Sequence, residues 1–267
     1  MTTSYSAVFH KTCADHGWVA DMHQISLARQ MDRLWQDIDK GHGLFGRKQV
    51  QGLYIHGGVG RGKTIMMDVF YDAIPLSPAK KMRAHFNAFM LDVHARLHAL
   101  GDVDDPLIRI ADDIAKHLRL LCFDEFQVTD IADAMILKTL FERLFDKKII
   151  LMATSNVAPR DLYHDGLQRA KFLPFIDVLQ THCVIHAMQS ETDYRLDHEG
   201  GLDSRYITPH STPALDHWWQ KLAQGEPCHE TILDVDGRDL TLKCAYGRVG
   251  WVTFPELCEK PRAARDY

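Results

Sequence analysis

No stretch of this 267-residue sequence approaches the roughly 20 consecutive apolar residues that a bilayer span requires, so an integral membrane segment is not expected. The first 20 positions hold charged residues but neither an apolar h-region nor an arginine-rich amphipathic stretch, which speaks against a secretory signal and an import presequence. Cysteine is sparse and scattered: Cys13, Cys122, Cys183, Cys228, Cys244 and Cys258 include no C-x-x-C pair. Cys122 and Cys183 lie in apolar runs that read as buried strands. The expectation is a reduced, cytosolic set of thiols rather than a disulfide framework or a zinc site. Excess positive charge is lacking too. A formal net charge of −5 argues against a chain built mainly to wrap nucleic acid, although it leaves room for a local basic groove. Repeats and low-complexity linkers are also missing. What remains is a cytoplasmic globular chain, long enough for one large domain with or without an appendage.

Positions 1–20 show no helical or strand period and are expected to be irregular. Positions 21–40 read as an amphipathic helix with Leu27, Met31, Leu34, Trp35 and Ile38 on one face, stopped by the glycines of 41–46. Short apolar runs then alternate with helical periods, the pattern of an α/β domain with a mostly parallel sheet. Strands are expected at 53–56, 81–86, 118–123, 148–154 and 182–188. Helices are expected at 62–72, 88–100, 106–116, 131–145 (capped by Thr129 or Asp130) and 159–167. After Met188 the texture changes: a helix at 215–223 precedes a small antiparallel element from 231–235, 240–245 and 251–254, turned at Asp236-Gly237. The domain reading is a 1–49 segment with an amphipathic helix, a 50–190 core and a mixed 191–267 appendage.

The residues Gly57-Gly58-Val59-Gly60-Arg61-Gly62-Lys63-Thr64 match G-x-x-x-x-G-K-[ST]. Glycines let successive backbone N–H groups turn inward round an anion, and the following helix adds its positive end. In such a loop Lys63 reaches the β and γ phosphates of ATP and the Thr64 hydroxyl binds Mg²⁺. An apolar strand before the loop and a helix after it supply the context this mechanism needs.

Downstream, Leu120-Leu121-Cys122-Phe123 runs into Asp124-Glu125. An apolar strand ending in an acidic pair reads as a Walker B segment, with Asp124 holding Mg²⁺ and Glu125 polarising the attacking water. Asn156, after the next strand, fits either a sensor of the γ phosphate or a cap for a helix starting at Pro159. Arg169 fits an arginine finger aimed at a neighbouring subunit's nucleotide, or a surface arginine in a salt bridge; Arg160 is the second choice for the finger. His94 and His98 stand at i, i+4 but lack the Glu of H-E-x-x-H, so solvated or hydrogen-bonded histidines are expected. Phe86, Phe89 and Met90 follow the second strand, where ring ATPases carry pore loops; core packing explains that spacing equally well.

These residues resemble those of the ZapE cell-division ATPase family and its mitochondrial AFG-like relatives. The resemblance is carried by Gly52-Leu53-Tyr54-Ile55-His56 leading into the loop, by Arg83-Ala84-His85-Phe86, and by Leu121-Cys122-Phe123-Asp124-Glu125-Phe126-Gln127-Val128-Thr129-Asp130. Ala153-Thr154-Ser155-Asn156, Gly166-Leu167-Gln168-Arg169 and Phe254-Pro255-Glu256-Leu257-Cys258 extend it across residues 20–267. The resemblance implies an AAA+-like P-loop NTPase fold with a parallel central sheet flanked by helices. It implies ATP and Mg²⁺ as ligands, a homo-oligomer, and FtsZ at the division site as client. Two departures stand out. Asn87 and Ala88 replace a His and a basic residue, and the chain stops at Tyr267 where members usually continue into a helical lid, so a C-terminally short member with lowered affinity and turnover is expected. Beside an ATPase that remodels a protein, two other functions fit: a nucleotide-dependent binding switch, and a helicase-loader-like ATPase on DNA, against which the acidic charge counts.

Overall fold

The alternation of side chains along the strands decides the architecture. The computed structural model describes residues 4–40, 49–188, 219–220, 227–235, 238–246 and 249–252. The chain divides into two units, 1–198 and 199–267. The first holds a five-stranded sheet of β1 (Gly52–Gly57), β2 (Lys81–His85), β3 (Leu120–Asp124), β4 (Ile150–Ser155) and β5 (Cys183–Met188), in the order β2-β3-β4-β1-β5. All four pairings are parallel. Every residue of β3 and β4 is buried, which is why their sequences run almost continuously apolar.

Odd and even positions serve different helices. Leu53, Ile55, Leu120, Cys122, Ile150 and Met152 share a cluster with α1 (Tyr5–His16), α2 (Met22–Lys40) and α3 (Lys63–Ala73). Tyr54, Leu121, Phe123, Leu151 and Ala153 share another with α4 (Phe86–Leu100), α5 (Pro106–Ala115), α6 (Ile131–Asp146) and α7 (Arg169–His182). The result is three layers, helices on both faces of a parallel sheet. Local signals set several boundaries. Asp130 caps α6 by accepting from the Ala132 N–H at 2.6 Å, and Pro106 opens α5.

Two expectations about helices are corrected. Positions 1–20 are not irregular: α1 occupies most of them, begun by the Ser4 side chain accepting from the Ala7 N–H and ended by Gly17 at φ 68°. The helix expected at 159–167 is only a 3₁₀ turn, Pro159–Asp161, because Tyr163, Asp165 and Gln168 adopt left-handed backbone conformations that no α-helix accommodates. The helix lies beyond them, as α7, with Pro174 inside it.

The second unit contains an antiparallel sheet of β6 (His229–Val235), β7 (Arg238–Tyr246) and β8 (Val249–Trp251). Trp219 packs edge-on to Trp251. Cys228 and Cys244 are joined as a disulfide, correcting the expectation of thiols throughout. Cys13, Cys122 and Cys183 are free and buried, and burial pushes the Cys122 and Cys183 thiols well above their ordinary range. The Asp236-Gly237 turn and most of the 215–223 helix lie outside the described residues. No helix among the described residues is long and apolar enough to cross a membrane.

Candidate active site

β1 delivers the glycine loop to the carboxyl end of the sheet. At Gly57 a Cβ would sit 2.2 Å from the Met188 carbonyl oxygen of neighbouring β5, so only glycine lets the strand leave the sheet there. Gly62, at φ 80°, turns the chain into α3, whose first residue is Lys63. Lys63 is 7 % exposed. Its Nζ donates to the carbonyls of Gly57 (2.8 Å) and Gly58 (2.7 Å) and to Asn156 Oδ1 (3.1 Å). The ammonium is thus held at the mouth of the loop, beside the positive end of α3, where an anion gains from both.

The strand order gives the acidic pair its surroundings. Because β4 lies between β1 and β3, Thr154 at the end of β4 stands next to Asp124 at the end of β3. The Thr154 hydroxyl donates to Asp124 Oδ1 at 2.6 Å, and Thr64 of α3 donates to the same oxygen at 3.0 Å. The Glu125 N–H donates to Asp124 Oδ1 (3.1 Å) and Thr154 Oγ1 (3.3 Å). Those bonds hold Glu125 at φ 53°, a conformation unusual for a residue with a Cβ. Asp124 Oδ2 accepts from Arg83 Nη2 of β2 at 3.2 Å. The Ser155 hydroxyl donates to the Phe126 carbonyl (2.7 Å) and accepts from the Val157 N–H (3.2 Å), fixing the loop that carries Asn156. Asn156 does not cap the Pro159 turn, whose start has no side-chain cap. It faces Lys63.

A cavity of about 550 Å³ opens over these groups, and about a third of the residues lining it precede the glycine loop, where sequence reasoning looked for no site. Phe9, Cys13, Trp18, Val19 and Gln24 of the first two helices and their connection face residues 59–66, Asp124, Glu125, Thr154, Ser155 and Asn156. The Gly17 cap turns the chain so that Trp18 follows α1 at once, its N–H donating to the Cys13 carbonyl at 2.8 Å. Asp21 and Gln24 exchange side chain to backbone hydrogen bonds at the start of α2 (2.6 and 3.2 Å). Gln24 Nε2 also reaches the Arg61 carbonyl at 3.4 Å. One end of the cavity is therefore lined by backbone N–H groups and charge, the other by aromatic and aliphatic side chains. The sequence signal was faint: Tyr5, Phe9 and Cys13 mark one stripe at i, i+4, i+8.

Other residues singled out lie elsewhere. Phe86 and Phe89 are buried against Phe123, with ring centroids 5.6 and 4.7 Å away, so core packing wins over a pore loop. His94 Nε2 is hydrogen-bonded to Asp133 at 2.7 Å. Arg169, at the start of α7, donates from Nη2 to the Arg160 carbonyl at 2.5 Å, and neither arginine lines the cavity. They flank a loop whose Leu167 is 69 % exposed.

The donor set also bears on a metal. Thr64 and Asp124 offer one hydroxyl and one carboxylate on the cavity wall. That is the small protein contribution Mg²⁺ takes when phosphate and water fill its remaining positions. Among the described residues no group of three or more His, Cys, Asp or Glu could hold a metal by itself, so the site suits Mg²⁺ carried with a phosphate ligand.

A family model described as AFG1-like ATPase matches residues 2–267. The chain is 43 % identical over 233 residues to Lactation elevated protein 1 homolog B of Danio rerio, covering 81 % of this chain and 46 % of that one. It is 42 % identical over 220 residues to the cell division protein ZapE of Escherichia coli K12, covering 82 % of this chain and 58 % of that one. The chain spans about half the length of the curated relatives it matches. Among solved structures, that of DnaI aligns with a TM-score of 0.49 at 16 % identity, over 64 % of this chain and 87 % of that one.

Proposed function

Because the chain belongs to the AFG1-like ATPase family, we propose that it binds ATP in the cavity over residues 57–64 and hydrolyses it with Mg²⁺ to remodel a protein partner. The observation that carries this reading is the 3.0 Å bond from Thr64 to Asp124, which joins the phosphate loop and the acidic strand end at one point. The loop N–H groups and the α3 N-terminus bind the triphosphate. Lys63 exchanges its hold on the Gly57 and Gly58 carbonyls for phosphate oxygens, and Asn156 keeps it aimed. Thr64 and Asp124 hold Mg²⁺, which supplies charge neutralisation at the phosphates. Glu125 orients and deprotonates the attacking water. The apolar end of the cavity, with Phe9, Trp18 and Val19, receives the base.

Arg169, outside its own cavity and at the start of α7 just after a loop shaped by three left-handed residues, serves the nucleotide of a neighbouring subunit in a homo-oligomer. The ZapE relative, a cell division protein by name, and the family resemblance support FtsZ as the client, met in the cytoplasm at the division site. Turnover of Mg-ATP by the wild type and by Glu125→Gln tests the enzyme reading. A loss of about 10²-fold or more in kcat with retained nucleotide binding is expected. Tight binding with equal, near-zero rates in both proteins would sink it.

A further inference from the structure

Asp124 is served on both oxygens, but by donors of different kinds. Oδ1 accepts from three neutral groups: Thr154 Oγ1 (2.6 Å), Thr64 Oγ1 (3.0 Å) and the Glu125 N–H (3.1 Å). Oδ2 faces a full charge, Arg83 Nη2 at 3.2 Å. Arg83 lies on β2 opposite Cys122 of β3, and its Nε is paired with Asp68 on α3. One guanidinium thus links the edge strand, the helix that follows the phosphate loop, and the carboxylate at the centre of the site.

Three neutral bonds on Oδ1 already fix how the carboxylate points, so the arginine contributes chiefly charge. Asp124 is almost fully buried and the Arg83 side chain about one quarter exposed, so solvent screens the pair only in part. With Arg83 shared between it and Asp68, the single carboxylate of the metal donor set is partly neutralised. A divalent cation arriving by itself meets little attraction from Asp124 and direct repulsion from the guanidinium. A cation arriving on a triphosphate brings its own counter-charge and is held by both.

We propose that Arg83 is a positioning residue for loading: it suppresses binding of a lone divalent cation at Thr64 and Asp124, so that the cation enters with the nucleotide. Asp68 sets how strongly Asp124 feels the arginine, because it draws part of that charge to itself. This rests on the reading of Thr64 and Asp124 as the metal-holding pair. It predicts opposite effects from two neighbouring substitutions, which loss of a structural ion pair does not.

The test uses Mn²⁺ as the probe and paramagnetic resonance of the free ion as the readout, with nucleotide-free protein whose folding is checked by circular dichroism. Arg83→Met should bind Mn²⁺ roughly tenfold more tightly than the wild type, and Arg83→Lys, which keeps the charge, should stay within about twofold of it. Asp68→Asn should bind about threefold more weakly. A folded Arg83→Met protein that binds Mn²⁺ no better than the wild type overturns the proposal. If Arg83→Met does not fold, Asp68→Asn decides the sign, and tighter binding there is equally fatal. Asp124→Asn separates this inference from the reading beneath it, through the Mn²⁺ dependence of fluorescent ATP analogue affinity. If Asp124→Asn leaves that dependence intact, the metal site itself is misplaced. If it abolishes the dependence while the Arg83 and Asp68 variants match the wild type, only the role of Arg83 fails.

Discussion

Thr154→Val removes one oxygen and leaves nearly all of the shape. The lost hydroxyl is fully buried, donates to a carboxylate at 2.6 Å and accepts the Glu125 N–H at 3.3 Å. A hydrogen bond to a charged group contributes roughly 1.5–3 kcal/mol. Asp124 keeps Thr64, Arg83 and the Glu125 amide, so the lower part of that range applies, about 2 kcal/mol. For a unit of this size each kcal/mol moves Tm by about 2–4 °C, so a fall of about 4–8 °C is expected by calorimetry. Glu125 also loses one of the two acceptors that hold it in a left-handed conformation, and kcat should fall about tenfold as the carboxylate drifts. KM for ATP should change little, because the loop and Lys63 are untouched. Thr154→Ser should restore both quantities. A valine variant with unchanged Tm and kcat would refute the account of how β4 supports the acidic pair.

Three further outcomes can be checked. Trp18→Ala should weaken ATP binding about tenfold in calorimetric titration while leaving tripolyphosphate binding within about twofold, since only the base meets the apolar end of the cavity; equal losses for both ligands would remove the base from that wall. At Gly166 a Cβ would lie 2.3 Å from the Tyr163 ring, whose hydroxyl donates to the Leu167 carbonyl at 2.9 Å. Gly166→Ala should therefore lower stability by about 1–3 kcal/mol in urea and reduce kcat at saturating protein through Arg169, with ATP affinity unchanged; normal turnover would detach that loop from catalysis. Burial pulls His56 below its ordinary 6.5, opposed by Asp161 and aided by Arg160 and Lys63; burial also lowers His186, aided by His56 and His23. The unfolded chain then binds more protons, so this stability is present above pH about 6.5 and is lost as pH falls through the lower folded values. The urea midpoint should drop between pH 7.5 and 5.5, and the double variant His56→Gln, His186→Gln should flatten that drop; an equally steep fall in the variant would contradict the assignment.

The place of the 57–64 loop on the cavity wall was legible because its pattern is local: glycines, a lysine and a threonine at fixed spacing between a strand and a helix. Asp124 and Glu125 were legible for the same reason, as the polar end of an apolar run. The bonds between them were not, since they depend on β4 lying between β1 and β3, and strand order leaves no local trace. α1 escaped notice because its buried face is the narrow stripe of Tyr5, Phe9 and Cys13, and with it went the apolar wall of the cavity. α7 escaped because Pro174 reads as a helix breaker, yet the apolar surroundings of Phe172, Phe175 and Ile176 outweigh the missing N–H. Phe86 and Phe89 were ambiguous because aromatic spacing is the same in a core and in a gripping loop; burial decides it. The pairing of Cys228 with Cys244 came from the fold of a hairpin, not from spacing.

The cluster that joins α1 and α2 to the sheet has a consequence for how the chain is made. Tyr5 and Phe9 belong with Phe70, Cys122, Met152 and Met188, so α1 and α2 can pack on each other and on α3 early, but the face they turn to β3, β4 and β5 stays uncovered until residues 120–188 have been made. Contacts of such long sequence separation form late and slowly. In that interval the apolar face of the unfinished layer is open to water, and such a surface invites chaperone binding.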